Sequence, residues 1–217
     1  MTDPLVAPVA RPVTDIDRAI DIVSEAFRAV PLTNTFIAEI DNTPPPYPSP
    51  SIDATRRRRH FAQGIKDGFE SGSICLEAGD WSAVAIWEAP EFRGKPFTHL
   101  GSAGPLRSGW RERVSAAKAK HLGDRPFWHL AFLARNPDVP LAKGAVSAVV
   151  KPILERAQAE GHPVWLEAVD ERGVAIYKHF GFQLVDHVVL GKGTHNPSGW
   201  PEEGGSGTAG YCMIYDP

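Results

Sequence analysis

The chain has 217 residues, of which 42% are hydrophobic, and a formal net charge of -3. That length suits one domain with a core of ordinary size. The small net charge excludes a global electrostatic draw to nucleic acid or to a membrane surface. Cys75 and Cys212 are the only cysteines, too few for a disulfide framework, although one bridge stays open. No run approaches the ~18 apolar residues of a membrane helix. The segment from Met1 to Pro12 has no apolar leader stretch. The expected location is therefore the cytoplasm.

Residues 14–30 predict a helix, with Ile16, Ile20, Val23 and Phe27 on one face, Thr14 as cap and Pro31 as terminator. The proline-rich run 43–50 follows and reads as a semi-rigid wall. A second helix spans 53–70, with Phe61, Ile65 and Phe69 four residues apart. It opens on Arg56-Arg57-Arg58-Arg59, expected as a solvated turn ahead of an anion site or an exposed partner surface. Ser73–Ala78 and Trp81–Glu88 form a hairpin around Gly79-Asp80. Residues 108–121 are helical and Phe127–Ala134 is a strand. Gly144–Glu160 is a long helix that buries Val146, Val149, Val150, Ile153, Leu154 and Ala157, with Pro152 expected to kink it or remove a hydrogen bond. Val164–Val169 is a central strand, and Ala175–Phe180 a short helix stopped by Gly181. Phe182–Gly191 and Tyr211–Tyr215 are the last strands. Residues 90–109 and 191–210 read as loops, and Gly199–Gly210 as a flexible one. The order predicts an α/β fold with a mixed central sheet flanked by helices.

Local wording is more specific than periodicity. The strand Trp128-His129-Leu130-Ala131-Phe132-Leu133-Ala134 leads through Lys143-Gly144 into the long helix. Leu166-Glu167-Ala168 and then Ile176-Tyr177-Lys178-His179-Phe180-Gly181-Phe182 follow, and the chain ends on Tyr211-Cys212-Met213-Ile214-Tyr215. This wording resembles the GNAT superfamily of N-acetyltransferases, small fungal members in particular. The resemblance is best over 127–190. It implies a GNAT fold on one domain, 1–217. Residues 1–126 would supply substrate-side helices and a hairpin, 127–190 the cofactor-binding core, and 191–217 a loop and the final strand.

The resemblance also implies a transfer of acetyl from acetyl-CoA to a small-molecule amine. Phe132, Leu133 and Ala134 would pair with the pantetheine arm, and Leu141, Ala142, Lys143, Gly144, Ala145 and Val146 would form the pyrophosphate loop at a helix N-terminus. Gly173 and Tyr177 would complete the cofactor site. Tyr177 would protonate the departing thiolate, and Glu167 would act on the amine proton. The usual loop motif is Q/R-x-x-G-x-G/A. Here Leu141 stands for the Gln/Arg, Ala142 for a common first glycine, Val146 for the last Gly/Ala, and Gly173 for a frequent asparagine. The alternative is a GNAT-fold protein that binds or transforms a small molecule without CoA.

The residues leave the base open among Glu167, His129, Glu88 and His162, with His129 expected as a satisfied core histidine. His60, His99, His121, His179, His187 and His195 have no ligand spacing, so no metal is expected. Gly101-Ser102-Ala103 and Pro197-Ser198-Gly199 are not nucleophile elbows. The acceptor would lie against 31–52 and 192–210, drawn by Glu39 or Asp41 and stacked on Phe36, Tyr47 or Trp200. No nucleic acid or membrane partner is expected, and the chain would be a monomer or homodimer.

Overall fold

The computed structural model describes residues 7–94, 104–140 and 142–217. Leu141, His99, the Gly101-Ser102-Ala103 segment and part of the 90–109 loop lie outside the described residues.

The first helix, α1 (Ile16–Ala26), is capped by Asp15 and not Thr14; the Asp15 carboxylate accepts the Arg18 N–H at 3.0 Å. Pro31 opens a second helix, α2 (Pro31–Asp41), where the sequence suggested a connection. Proline is well placed at a first helical position, because its missing N–H would have no partner there. Asp53 caps α3 (Ala54–Glu70) through the Arg56 N–H.

The short strand β1 (Arg11–Pro12) pairs with β2 (Ile74–Ala78), which turns into β3 (Ala83–Glu88). Trp81 belongs to that turn and not to a strand. Gly79, Asp80 and Trp81 all have positive φ. Then come α4 (Pro105–Leu122), β4 (Trp128–Arg135), α5 (Ala145–Glu160) and β5 (Val164–Ala168). The helix α5 runs unbroken through Pro152. Asp170 caps α6 (Glu171–His179), so this helix starts earlier than the apolar pattern suggested. The last strands are β6 (Gln183–Leu190) and β7 (Thr208–Tyr215).

The seven strands form one mixed sheet in the order β1-β2-β3-β4-β5-β7-β6. Among the described residues only β4 and β5 pair in parallel; the other pairs are antiparallel. Strand alternation divides the side chains between two faces. Ala85, Trp87, Trp128, Leu130, Val164, Leu166 and Met213 pack with α5 and α6. On the other face, Val84, Ile86, Phe132 and Ala134 meet α1 and α3, while Trp165, Val188, Cys212 and Ile214 meet α2 and α4. Cys75 and Cys212 are both free and buried, and burial pushes each thiol up to about 12.

The arginine run is not a solvated turn. Arg56 is buried and grips Asp41 with two bonds of 2.6 and 2.9 Å. Arg57 donates to the Ile52 carbonyl at 2.7 Å. Arg58 holds Asp17 and Asp21 of α1, and Arg59 remains exposed. Successive residues point in different directions around a helix, so the run ties α3 to both preceding helices. The 191–207 segment is also more built than a flexible loop. Its backbone bonds include Gly193 to Gly205 at 2.7 Å and Glu202 to Thr194 at 2.8 Å.

The β2–β3 turn lies against the start of α5. A Cβ on Gly79, whose φ is +67°, would sit 2.7 Å from Ala142 Cβ and 3.1 Å from Ala145 Cβ. Gly79→Val is expected to cost about 2 kcal/mol of stability. Gly161→Ala, at φ +68° with no atom within 4 Å, should cost about 1 kcal/mol. Thermal or urea unfolding of the two variants checks the difference.

Candidate active site

The site grows from a short pairing. β4 and β5 pair only at Trp128 with Val164 and His129 with Trp165. On its other edge β4 carries a bulge: Trp87 pairs with Leu130 and Ile86 with Phe132, so Ala131 is the extra residue. A bulge bends its strand, and here it lies where β4 leaves β5. Beyond it Phe132 to Ala134 pair with β3 on one edge and make no pairing with β5 on the other.

The opening leads into a cavity of about 1040 Å³. Phe132, Leu133, Ala134, Ala142, Lys143, Gly144, Val146, Gly173 and Tyr177 all line it. Ala145 does not: its side chain is fully buried in the core. Val146, expected in the core, is only partly buried and faces the cavity.

The start of α5 differs from those of α1, α3, α4 and α6; like that of α2, which opens on Pro31, it has no side-chain cap. Aspartates cap α1, α3 and α6, and Glu39 takes the first amides of α4, Leu106 at 2.7 Å and Arg107 at 3.1 Å. No side chain caps α5; Gly144 holds the N-cap position at φ +92°. The Ala142 N–H is taken by Ser82 Oγ at 3.0 Å, and that of Ala145 by the Ala142 carbonyl. The amides of the first turn, Val146 and Ser147, therefore open on the cavity with Lys143 beside them. Such an end suits phosphate oxygens.

Tyr177 lies on α6, its ring edge-on to Phe182 at 5.8 Å. Burial, with the nearby Asp170 charge, pushes its hydroxyl above the ordinary tyrosine value. The hydroxyl therefore keeps its proton at neutral pH.

On the α1–α4 face, a charged row crosses three strands where the pairing ends. His129 Nδ1 lies 2.8 Å from Glu88 Oε2, and His129 Nε2 lies 3.0 Å from Glu167 Oε2. Glu167 Oε1 accepts from Trp165 Nε1 at 2.7 Å and from Lys118 Nζ at 3.2 Å. An ionised carboxylate only accepts, so a carboxylate at each ring nitrogen favours the imidazolium form of His129, in which both nitrogens donate. Burial and Lys118 push the His129 pKa down, but Glu167 and Glu88 outweigh them and the net shift is upward. Burial opposes the charge on Glu167, yet Lys118 and His129 hold its carboxyl far below the usual range. The row carries two negative and two positive charges, so its burial is balanced.

Sequence reasoning chose Glu167 and named His129 and Glu88, and the structure joins all three. His162 lies apart, in the turn that precedes β5. Lys118 was missed. It sits on a helix with little amphipathic pattern, and what sets it apart is tertiary: its ammonium lies 5.7 Å from the Phe127 ring centroid, 5.9 Å from that of Trp165 and 3.2 Å from Glu167. Of the acceptor candidates, Phe36 lines the cavity. Glu39 is spent on α4 and Asp41 on Arg56, while Tyr47 and Trp200 stack on each other at 5.4 Å. Among the described residues, no group of three His, Cys, Asp or Glu is arranged to hold a metal, and no helix is long and apolar enough to cross a membrane.

Solved structures share this fold. One, described as a histone acetyltransferase HPA2 and related acetyltransferase of Corynebacterium glutamicum, superposes with a TM-score of 0.59 at 20% identity, over 98% of this chain and 97% of that one. An agmatine N-acetyltransferase gives 0.61 at 14% identity, over 98% and 100%. The chain has the fold of the GNAT acetyltransferases. In sequence it is similar to an uncharacterized N-acetyltransferase of Schizosaccharomyces pombe, 25% identical over 138 residues, which are 54% of this chain and 53% of that protein. Alignments with two of the curated relatives, both from yeasts, span 57% and 53% of those proteins. No protein-family model matches the sequence.

The charged row fixes a pH dependence. The raised His129 pKa adds stability that is complete below the unfolded value of about 6.5 and is lost as pH rises through the folded value. The lowered Glu167 pKa adds stability above the unfolded carboxyl value, lost as pH falls through the folded one. Lys118 depresses His129, so Lys118→Met should raise the His129 titration midpoint. Histidine NMR across the pH range checks the direction.

Proposed function

We propose that the chain transfers an acetyl group from acetyl-CoA to a small amine. One observation carries this reading: the strand edge at Phe132 to Ala134, the uncapped start of α5 and Tyr177 open on one cavity. Acetyl-CoA supplies an activated acyl carbon and a thiolate leaving group. The Leu133 and Ala134 edge would hold the pantetheine arm by strand-like bonds. Lys143, Gly144, Val146 and Ser147 would receive the phosphates. The departure at Val146 does not block this role, because the receiving groups are backbone amides of the first turn. Gly173, the third residue of α6, has no side chain, and it donates its N–H to Asp170 at 2.6 Å.

The neighbouring agmatine N-acetyltransferase acts, by its name, on an amine; its likeness supports the fold, and the cavity supports the acceptor. Attack needs a neutral amine, and entry into an apolar cavity disfavours the ammonium. Glu167 is the group we assign to the amine proton. A carboxylate held this low accepts only from a strong acid, which the nitrogen becomes once its lone pair is committed to the acyl carbon. Tyr177 keeps its proton at neutral pH and gives it to the leaving thiolate.

Tyr177→Phe should leave acetyl-CoA affinity within about twofold and lower kcat on the order of ten- to a thousandfold. Calorimetry and thiol release together check both. Absence of acetyl-CoA binding at millimolar concentration would overturn the proposal in favour of a GNAT-fold protein that works without CoA.

A further inference from the structure

Five aromatic rings line the half of the cavity on the α1–α4 face, where the acetyltransferase reading puts the acceptor. Phe27, Phe61 and Phe132, from α1's end, α3 and β4, pack edge to face with centroids 5.7 to 5.8 Å apart. Across the charged row, Phe36 of α2 and Trp110 of α4 lie 6.4 Å apart. All five line the same cavity as His129 and Glu167. The Trp110 ring is seated by design of the backbone: a Cβ on Gly210 of β7 would run into it.

Charge narrows the acceptor further. The described residues of this half contribute two carboxylates, Glu25 and Glu167. Glu25 is bonded to Arg28 at 2.8 Å and lies 3.7 Å from Arg57. Glu167 is held by Lys118, His129 and Trp165. A second cation on the acceptor would find no unpaired carboxylate among them, and burying it unpaired is costly. An aromatic ring loses water favourably and meets rings at both walls.

Resting on the acetyltransferase reading above, we infer that the acceptor is a monoamine carried on an aromatic or bulky apolar body, and not a diamine, polyamine or guanidino amine. The body lies between Phe27, Phe61 and Phe132 on one side and Phe36 and Trp110 on the other. The amine points to the opening beside Glu167.

The test has two arms on the full chain. Calorimetry first measures acetyl-CoA binding. Steady-state kinetics at fixed acetyl-CoA then compares 2-phenylethylamine and tryptamine with putrescine and agmatine. The aromatic amines should have kcat/KM higher by about 100-fold. Phe36→Ala should raise KM for 2-phenylethylamine about tenfold with acetyl-CoA affinity unchanged. Should that variant fold poorly, Phe36→Leu keeps a sizeable apolar side chain without the ring and should raise KM in the same direction. Equal or better use of putrescine or agmatine overturns the inference and leaves acetyl transfer standing. Acetyl-CoA binding with none of the four amines acetylated, or an unchanged KM in a folded Phe36 variant, also overturns it. No acetyl-CoA binding overturns both readings.

Discussion

Parallel pairing between β4 and β5 lasts for two residue pairs, and the architecture around the cavity follows from that brevity. A longer ladder would close the sheet and leave no passage between its faces. The extra residue at Ala131 bends β4 at that point and also resets its alternation. Phe132 and Ala134 consequently turn towards α1 and α3, while Leu133 turns towards α5. One inserted residue thus opens the sheet, supplies an unpaired strand edge and puts an aromatic ring on the α1–α3 side of the cavity.

The same parting explains why a charged row tolerates burial. Glu88 and His129 are register partners on adjacent strands, and Glu167 lies two residues beyond His129's partner Trp165. The separation of β4 and β5 lets the imidazole bridge to Glu167 without a ladder between them. Lys118 then reaches down from α4 and closes the balance. With four charges compensated, the row is a polar floor beneath apolar walls. An isolated carboxylate in that position would protonate.

Much of this was legible in the sequence where a rule acts locally. The strands and α5 follow from apolar runs, and the wording around Ile176 to Phe182 marked the α6 to β6 passage. Glu167 and His129 stood out as polar residues on apolar strands. What escaped was set by partners distant in the chain. α2 was hidden because Pro31 reads as a terminator when it is the first residue of the next helix. The arginine run looked solvated because Asp17, Asp21 and Asp41 sit on other helices. Glu39 and Asp41 looked like substrate anchors for the same reason. The phosphate loop looked poor because the motif counts side chains, whereas the geometry offers backbone amides that no side chain caps.

The Glu39 carboxylate has a mechanical meaning beyond its two bonds. It joins α2 to the first turn of α4, and Gly104 leaves it the room to approach. Phe36 and Trp110 ride on those two helices, far apart in sequence. Stapled together, they form a preshaped jaw, and an incoming molecule spends little of its binding energy on ordering it. A single acidic side chain thus fixes the spacing of two helices and stiffens the cavity wall they carry.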